Sequence, residues 1–513
     1  MRPVLKMICR PQYYIGGIPN KLEEKTLTLR LVKYKRKKHR YDMGRKKRIG
    51  LLAVIVLTLF VGFMPMSWIG MDGMTVLQQR SLAVFVFAAM MWILEIIPAW
   101  ATSVCIISLL LFSVSDEGFL LTPLAGGGFA EGTVADHVEL MASFANPIII
   151  LFLGGFVLAG SAGKVGLDAF LAKNLLRMFG SRPHFVLLGF LLLNGLFSMF
   201  MSNTATAAMM FTFIVPVLKR MPRDERGCTG LALSIPIAAN LGGLGTPIGT
   251  PPNAIALAQL SELGVHIGFR TWMLHLVPYV FIMLLFAWLL LMWLYPFKSR
   301  KIIVEIEDSK PHGRDYWIVV GTFVATIMLW ITGEWTGYDS NIIAMVPIAV
   351  FSATGIFGKE DLAKIDWAVL WMVAGGFALG TACSRTGLGT MLINAVPFSS
   401  WAVWVVIIVA GLMIYVISTF ISNTSAANLL MPILALLGTA MGSSLTPYGG
   451  VATLLVYMAV GASLAMTLPI STPPNAIACS TGLVPTRQML LVGTVIGVVG
   501  AIVGYAWIVL FPL

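Results

Sequence analysis

The chain has 513 residues, of which 58% are hydrophobic and only 11% are charged, and its formal net charge is +12. Repeated apolar stretches exceed the roughly 20 residues that a membrane-spanning helix needs, which excludes a water-soluble globular protein and indicates an integral membrane protein. The five cysteines and six histidines are scattered singly, so neither a disulfide framework nor a zinc site is expected.

The positive charge is concentrated at the N-terminus, where residues 1–48 contain 16 Lys/Arg against three acidic residues. Next to a first apolar helix at about 49–69, such a segment is typical of a cytoplasmic tail rather than of a nucleic-acid-binding site. We therefore predict a basic, disordered cytoplasmic tail at 1–48, of which residues 1–42 are expected to precede the true start. No small-residue cleavage site follows the first helix, so we expect an uncleaved anchor and linker at 49–80.

Apolar spans then alternate with basic loops. The first predicted spans are 81–95, 98–114 and 145–161, and an interfacial helix follows them. Residues 183–221 are long enough to cross twice, but they are interrupted at Ser202-Asn203-Thr204 and basic at both ends. This pattern predicts a re-entrant hairpin open to the cytoplasm, the inner hairpin (183–221).

The following region combines a broken apolar stretch with further spans, predicted at 229–261, 271–296, 315–332, 339–357 and 366–382. Residues 386–486 contain no Asp, Glu, Lys or Arg, and within them a second hairpin, the outer hairpin (397–440), turns at Ser422-Asn423-Thr424. Because this hairpin has no basic flanks, we expect it to open outward. A broken span at 449–482 and a closing helix at 488–511 bring the prediction to about eleven spanning helices plus two hairpins.

Four short sequence segments each occur twice, and the number of residues between the two copies is nearly the same for all four. They are Ser202-Asn203-Thr204 and Ser422-Asn423-Thr424, Thr250-Pro251-Pro252-Asn253 and Thr472-Pro473-Pro474-Asn475, Gly154-Gly155-Phe156 and Gly375-Gly376-Phe377, and Gly166-Leu167 and Gly387-Leu388. Since an odd number of crossings separates the copies, we predict two inverted repeats, the architecture of alternating-access carriers. The predicted domains are a first repeat at 81–297, a cytoplasmic linker at 298–314 and a second repeat at 315–513, with the N-terminus cytoplasmic and the C-terminus outside.

The repeated segments combine helix-breaking prolines with Ser, Thr and Asn, whose oxygens suit a hard cation such as sodium. Ser198 and Ser418 lie one helical turn before the motifs, so their side chains can face the tips. The predicted sodium ligands are Ser198, Ser202, Asn203 and the backbone at Gly249, and Ser418, the Ile421 carbonyl, Asn423 and the backbone at Ser471. Helix N-termini at the tips attract anions, so Asn203, Thr204, Asn423 and Thr424 are expected to bind a carboxylate or similar group.

The scarcity of charge near the motifs constrains the ligand. No Lys or Arg occurs at 227–261 or at 386–486. An unpaired dianion is costly in a site of low dielectric constant, so cations from solution must bind together with the anion. Cotransport of cation and anion follows from this requirement.

The segments SNTATAAMM, SNTSAANLLMP and the two copies of TPPNAIA resemble the divalent anion/sodium symporter family, specifically its sodium-dependent dicarboxylate transporter group, over about residues 49–513. The resemblance implies a homodimer whose protomers combine a scaffold domain with an elevator-type transport domain. It implies sodium at each tip as the coupling ion, without other cofactors, and a C4-dicarboxylate such as succinate, malate or fumarate between the tips. The implied substrate-binding residues are Asn203, Thr204, Thr250, Asn423, Thr424, Thr472 and Pro473; the implied sodium ligands are the eight residues given above.

Three functions stay open at this point. Sodium-driven dicarboxylate symport is favoured because no basic residue beside either motif replaces a cation. Dicarboxylate exchange, or sodium-coupled sulfate or citrate transport, is the alternative within the same family, and the sequence does not choose among these anions. A channel or membrane enzyme is weakest, since Glu95 is the one conspicuous acid within the apolar spans and is better interpreted as a helix anchor. We expect no enzymatic activity, no nucleic-acid partner and a multi-pass location in the cell membrane.

Overall fold

The computed structural model describes residues 44–69, 73–118, 134–222, 225–302, 313–395 and 401–513. Most of the predicted tail, the part of the predicted linker at 303–312 and the first four residues of the predicted outer hairpin lie outside these ranges. The chain divides into two compact units, Met1–Ala53 and Val54–Leu513. The described part of the first unit is the beginning of helix α1 (Arg45–Phe63).

The described residues form α-helices connected by turns and short 3-10 segments, without a β-strand among them. The helices up to residue 300 are α2 (Val76–Leu94), α3 (Ala99–Ser113), α4 (His137–Ala142), α5 (Pro147–Lys164), α6 (Leu167–Met178), α7 (Pro183–Phe200), α8 (Asn203–Arg220), α9 (Arg226–Gly242), α10 (Pro251–Glu262) and α11 (Phe269–Leu294). The later helices are α12 (Arg314–Thr336), α13 (Ser340–Ile343), α14 (Met345–Ala353), α15 (Lys359–Leu362), α16 (Trp367–Arg385), α17 (Leu388–Asn394), α18 (Val403–Phe420), α19 (Asn423–Met441), α20 (Gly450–Leu464), α21 (Pro473–Ser480) and α22 (Thr486–Leu510).

Within the described ranges, 10 helices are long and apolar enough to cross a membrane. The predicted all-α membrane architecture is therefore confirmed. Three of these helices, Pro183–Phe200, Val403–Phe420 and Asn423–Tyr448, are arms of the predicted hairpins. The number of crossings, about eleven with two hairpins, stays a prediction.

Both Ser-Asn-Thr motifs interrupt the helical backbone in the same way. Met201 and Ile421 are extended, with φ −120° at each, and new helices begin two residues later, at Asn203 and Asn423. The Ser202 hydroxyl accepts a hydrogen bond from Ala205 N, and Ser422 accepts one from Ser425 N, both at 3.2 Å. These serines are N-caps, which satisfy a backbone donor that the first helical turn leaves free.

Both Thr-Pro-Pro-Asn motifs also begin a helix after a break. Thr250 and Thr472 have extended backbone, and the proline after each occupies the first helical position. Proline is suited to that position because its missing N–H has no intrahelical partner there. The two breaks expose backbone carbonyls in the interior, where other groups must satisfy them.

The repeated glycine pairs allow helices from the two parts of the chain to approach closely. Helix α5 packs against α13 and α14, and α16 packs against α3. A methyl group on Gly154 would collide with the Ala344 carbonyl, and one on Gly375 would collide with Ser103. Helices α5 and α16, which carry the glycine pairs, therefore each pack closely against helices that are distant in the sequence.

Candidate functional site

The first candidate site forms where the inner hairpin meets the broken stretch between α9 and α10. The Ser198 hydroxyl is fully buried and donates to Ala239 O at 2.7 Å. Its oxygen lies 2.6 Å from Asn203 Oδ1, across the break between α7 and α8. The two arms of the inner hairpin and helix α9 therefore meet at the Asn203 amide.

The Asn203 amide can adopt two orientations at this position. With its nitrogen inward, it donates to Ser198 Oγ at 2.6 Å, to Ala239 O at 3.2 Å and to Gly249 O at 3.0 Å. With its oxygen inward, the same three oxygens surround Asn203 Oδ1, and two of them are carbonyls that offer no proton. A bound cation would favour the second orientation, because it would be attracted to all four oxygens.

The second candidate site repeats much of this geometry. Ser418 is fully buried and donates to Ala462 O at 2.7 Å, and its hydroxyl oxygen lies 2.9 Å from Asn423 Oδ1. Ser471 donates to Thr419 O at 2.7 Å, so the stretch before α21 is held against the outer hairpin. The fold thus brings Ser198, Asn203 and Gly249 together in one place and joins Ser418 with Asn423 and Ser471 with Thr419 in another.

A different hydroxyl secures the tip of the inner hairpin. There the Thr246 hydroxyl donates to the Met199 carbonyl. Met199 is the counterpart of Thr419 in the outer hairpin, whose carbonyl accepts from Ser471. Gly249, at the position of Ser471, has no side chain, and a methyl group on it would collide with the Gly243 carbonyl. The inner tip is therefore closed by backbone packing at a point where the outer tip uses a serine.

Two asparagines that sequence reasoning left without a role shape both breaks. Asn253 Nδ2 donates to Gly243 O at 3.0 Å and to Thr246 O at 2.8 Å. Asn475 Nδ2 likewise donates to Met466 O at 2.7 Å and to Leu468 O at 3.0 Å. Each amide satisfies two carbonyls that a continuous helix would have bonded internally. Their position as the last residue of the repeated Thr-Pro-Pro-Asn motif is the signal that could have identified them.

A buried bridge connects the two candidate sites. Asn240, next to Ala239 of the first site, donates through Nδ2 to Thr472 Oγ1 and to Asn475 Oδ1, both at 3.1 Å. In addition, α8 packs against α21, and α19 packs against α10. The helix of the first Ser-Asn-Thr motif therefore lies against the helix of the second Thr-Pro-Pro-Asn motif. The helix of the second Ser-Asn-Thr motif likewise lies against the helix of the first Thr-Pro-Pro-Asn motif.

The remaining predicted residues differ in accessibility. Ser202 uses its side chain as an N-cap, as does Ser422 at the equivalent position of the outer hairpin. Thr250, Thr472 and Ile421 are buried, whereas Thr204 and Pro473 are exposed and Thr424 is partly exposed. Ser202, Asn203 and Asn423 are also partly exposed, so the accessible predicted residues are these three together with Thr204, Thr424 and Pro473.

A separate cluster of polar groups lies outside the sites predicted from the sequence. Asp116, Asp136 and His137 present side-chain atoms within 4.8 Å of one another. His137 Nδ1 lies 3.0 Å from Asp116 Oδ1 and 3.7 Å from Asp136 Oδ1. Both carboxylates are exposed, so this arrangement is interpreted as a hydrogen-bonded surface cluster that connects the segments before and after residues 119–133.

Comparison with known proteins adds to this geometry. A family model described as citrate transporter matches residues 89–449. The chain is 30% identical over 504 residues to the sodium-dependent dicarboxylate transporter SdcS of Staphylococcus saprophyticus, with 90% of each protein covered. The chain belongs to this citrate transporter family, and so to the divalent anion/sodium symporters. A second SdcS, from Staphylococcus aureus strain USA300, is 28% identical over 492 residues, covering 89% of this chain and 88% of the relative.

Solved structures support the fold of this symporter-family member. The YdaH transporter of Alcanivorax borkumensis superposes with a TM-score of 0.56 at 12% identity, covering 81% of this chain and 98% of its own. MtrF of Neisseria gonorrhoeae, from a class of antimetabolite efflux pumps, gives a TM-score of 0.52 at 12% identity, covering 81% and 95%. Family membership confirms the resemblance inferred from the motifs. The protein is a multi-pass membrane transporter and not an enzyme.

Proposed function

We propose that this transporter couples inward sodium flow to the uptake of a C4-dicarboxylate such as succinate, malate or fumarate. The observation that carries the proposal is the set of oxygens that surrounds the Asn203 amide, contributed by Ser198, Ala239 and Gly249. Such a group of neutral oxygens suits sodium, a hard cation that prefers oxygen ligands. The similar arrangement of Ser418 and Asn423 supports a second sodium site.

Sodium and the dicarboxylate are both transported substrates in this proposal. The first sodium would be held by Ser198, Ser202, Asn203 and Gly249, and the second by Ser418, Ile421, Asn423 and Ser471. The anion would be held by Asn203, Thr204, Thr250, Asn423, Thr424, Thr472 and Pro473. The bridge from Asn240 to Thr472 supports one shared site, because it places the backbone around the first sodium next to the second Thr-Pro-Pro-Asn motif.

Electrostatics supports obligatory coupling. Residues 183–218, 227–261 and 386–486, which contain all of the proposed site residues, contribute no Lys or Arg side chain. Two sodium ions would neutralise a dianion, and any further sodium would carry net charge inward. The membrane potential then contributes about 2.3 kcal/mol per charge per 100 mV.

Elevator-type alternating access belongs to the same proposal. The two domain-sized repeats, 81–297 and 315–513, would be inverted, the protein would be a homodimer, and the N-terminus would lie in the cytoplasm and the C-terminus outside. The cross-packing of α8 with α21 and of α10 with α19 supports one moving body that carries both tips. The names of the SdcS relatives support both sodium dependence and a dicarboxylate substrate.

Citrate is the second candidate substrate, because the matching family model carries the description citrate transporter. Its third carboxylate would need additional space or charge compensation beyond two sodium ions. Sulfate transport and dicarboxylate exchange remain alternatives within the family.

The decisive measurement is uptake of labelled succinate into vesicles that contain the purified protein. We expect uptake to fall at least tenfold when external sodium is replaced by potassium or lithium. Excess unlabelled citrate or sulfate should compete poorly with succinate. Unchanged uptake without sodium would overturn symport, and uptake that requires internal dicarboxylate would indicate exchange.

A residue-level test addresses the site itself. Asn203→Ala and Asn423→Ala should each abolish sodium-dependent uptake while the purified protein keeps a single folded species. Near-normal uptake by both variants would refute the proposed sodium sites without affecting the fold.

A further inference from the structure

A basic cleft lies at the beginning of the inner hairpin, at the opposite end of α7 from the first Ser-Asn-Thr motif. Its volume is about 410 Å³, and it lies between the start of α7 and the segment that follows α11. The residues that line it include Arg182, His184, Met292, Phe297, Ser299 and Arg300. Two guanidinium groups and an imidazole therefore border one space.

The backbone on both sides of this cleft is fixed by hydrogen bonds. The buried Glu225 carboxylate accepts hydrogen bonds from Lys298 N and Ser299 N, both at 3.0 Å, and from Ser299 Oγ at 2.5 Å. On the other side, Ile302 N donates to Ser181 O at 2.8 Å. Arg182 and Arg300 are thus carried by two segments that are tied to each other and to the start of α9.

The two arginines are available to a ligand. Both are exposed, and neither forms an ion pair with another residue of the described ranges. Helix α7 begins at Pro183, and Arg182 at its N-cap makes no side-chain capping bond. The first backbone N–H groups of α7 therefore add positive potential to that of the guanidinium groups.

The position of the cleft indicates the depth at which its ligand lies. The cleft is at the end of α11, a helix long and apolar enough to cross a membrane. Beside it, the Trp293 side chain is 78% exposed, and the Trp288 indole donates to His184 O at 2.9 Å. Exposed tryptophans at the end of a span are typical of the membrane interface, where lipid phosphates lie.

We propose that this cleft binds a phosphate group, held by Arg182 and Arg300 with His184 as a third donor. Arginine is suited to this ligand because its planar fork can donate two parallel hydrogen bonds to phosphate oxygens. The phosphate of an anionic lipid in the adjacent leaflet and inorganic phosphate share this chemistry. Because the cleft joins α7 to the end of α11, the bound phosphate would connect the inner hairpin to its neighbouring helix at the membrane surface.

The test compares the full chain with two double variants of equal charge. Arg182→Gln with Arg300→Gln removes both guanidinium groups from the cleft. Lys219→Gln with Lys359→Gln is the matched control, since both lysines are exposed and do not line the cleft. Native mass spectrometry in detergent counts bound phosphatidylglycerol against phosphatidylcholine, and thermal unfolding is followed with added inorganic phosphate.

We expect the arginine double variant to bind phosphatidylglycerol at least tenfold more weakly than the wild type and the lysine control. Stabilisation by inorganic phosphate that is lost in the arginine variant alone would identify free phosphate as the source. If both double variants respond equally to the lipid and to inorganic phosphate, the proposal is wrong. Arg182→Lys with Arg300→Lys serves as a second variant if the glutamine pair does not fold, and it should show an intermediate loss because lysine keeps the charge without the fork.

Discussion

Asn240 and Thr472 are 232 positions apart in the chain, yet their side chains are joined by a buried hydrogen bond of 3.1 Å. Asn240 follows the residue whose carbonyl accepts from Ser198, and Thr472 begins the second Thr-Pro-Pro-Asn motif. The two candidate sites are therefore linked through one buried amide.

Asn240→Ala should destabilise the protein by about 1–3 kcal/mol, because Thr472 Oγ1 and Asn475 Oδ1 lose a buried donor. We also expect weaker apparent affinity for both sodium and the anion, since the bridge positions both tips. Thermal unfolding and uptake kinetics check these effects. Wild-type values in both assays would show that the bridge has no role in connecting the sites.

Ser198→Ala and Ser418→Ala each remove a buried hydroxyl that contacts an asparagine of a predicted sodium site. We expect the half-saturating sodium concentration to rise about tenfold or more, which corresponds to about 1.4 kcal/mol. Ser234→Ala is the matched control: this serine is equally buried, but it bonds to Leu231 O in its own helix. Equal sodium dependence in all three variants would contradict the site assignment.

Gly243→Ala tests the packing around Asn203. A methyl group at this position would lie 2.6 Å from Asn203 Oδ1 and 3.1 Å from Gly249 O, so the amide or the opened backbone must move. We expect sodium-dependent uptake to decrease at least tenfold. Gly160→Ala, at a helical position with open space around it, is the control and should leave uptake unchanged with equal or slightly higher stability. Wild-type sodium affinity in Gly243→Ala would show that this contact does not position Asn203.

Asp361 provides a prediction about pH. The Lys164 ammonium, 2.6 Å away, and the Gly358 N–H lower the pKa of Asp361 from 3.8 to about 2. The folded state therefore binds this proton less readily than the unfolded state, so the stabilisation is present above about pH 4 and is lost as pH falls towards 2. The Lys164 side chain is 48% exposed, and screening by water limits the effect to about 1 kcal/mol.

Asp361→Asn should accordingly lower the melting temperature by about 1 °C at pH 7 and make less difference below pH 3. The measurement is thermal unfolding of both proteins across that pH range. A constant difference between variant and wild type from pH 7 to pH 2.5 would exclude the ion pair as its cause.

The helix breaks could be predicted because their causes are local. Ser202 and Ser422 cap the helices that follow them, and Pro251 and Pro473 occupy first helical positions, as these residue types do in general. The first helix was less well predicted. It was expected at about 49–69, but it ends at Phe63, just before the extended Pro65.

The bridge between the sites could not be predicted, because nothing near Asn240 in the sequence indicates a partner in the other part of the chain. Internal repetition gives no help either. The residue after Ala462, the counterpart of Ala239, is Ser463, whose buried hydroxyl has no hydrogen-bond partner within the described part of the chain. The difference between Asn240, which forms the bridge, and Ser463, which does not, depends on tertiary packing. The use of Thr246 at one tip and Ser471 at the other depends on it as well.

The close packing of α3 against α16 also constrains how the protein is made. Thr102 and Ser103 in α3 are completely buried, and Ser103 Oγ lies 3.4 Å from Met372 O in α16. During translation α3 leaves the ribosome long before α16, which begins at Trp367, exists. Until then, these hydroxyls must face lipid, the translocon or their own backbone. Helix α3 therefore reaches its final packing only after α16 has been inserted.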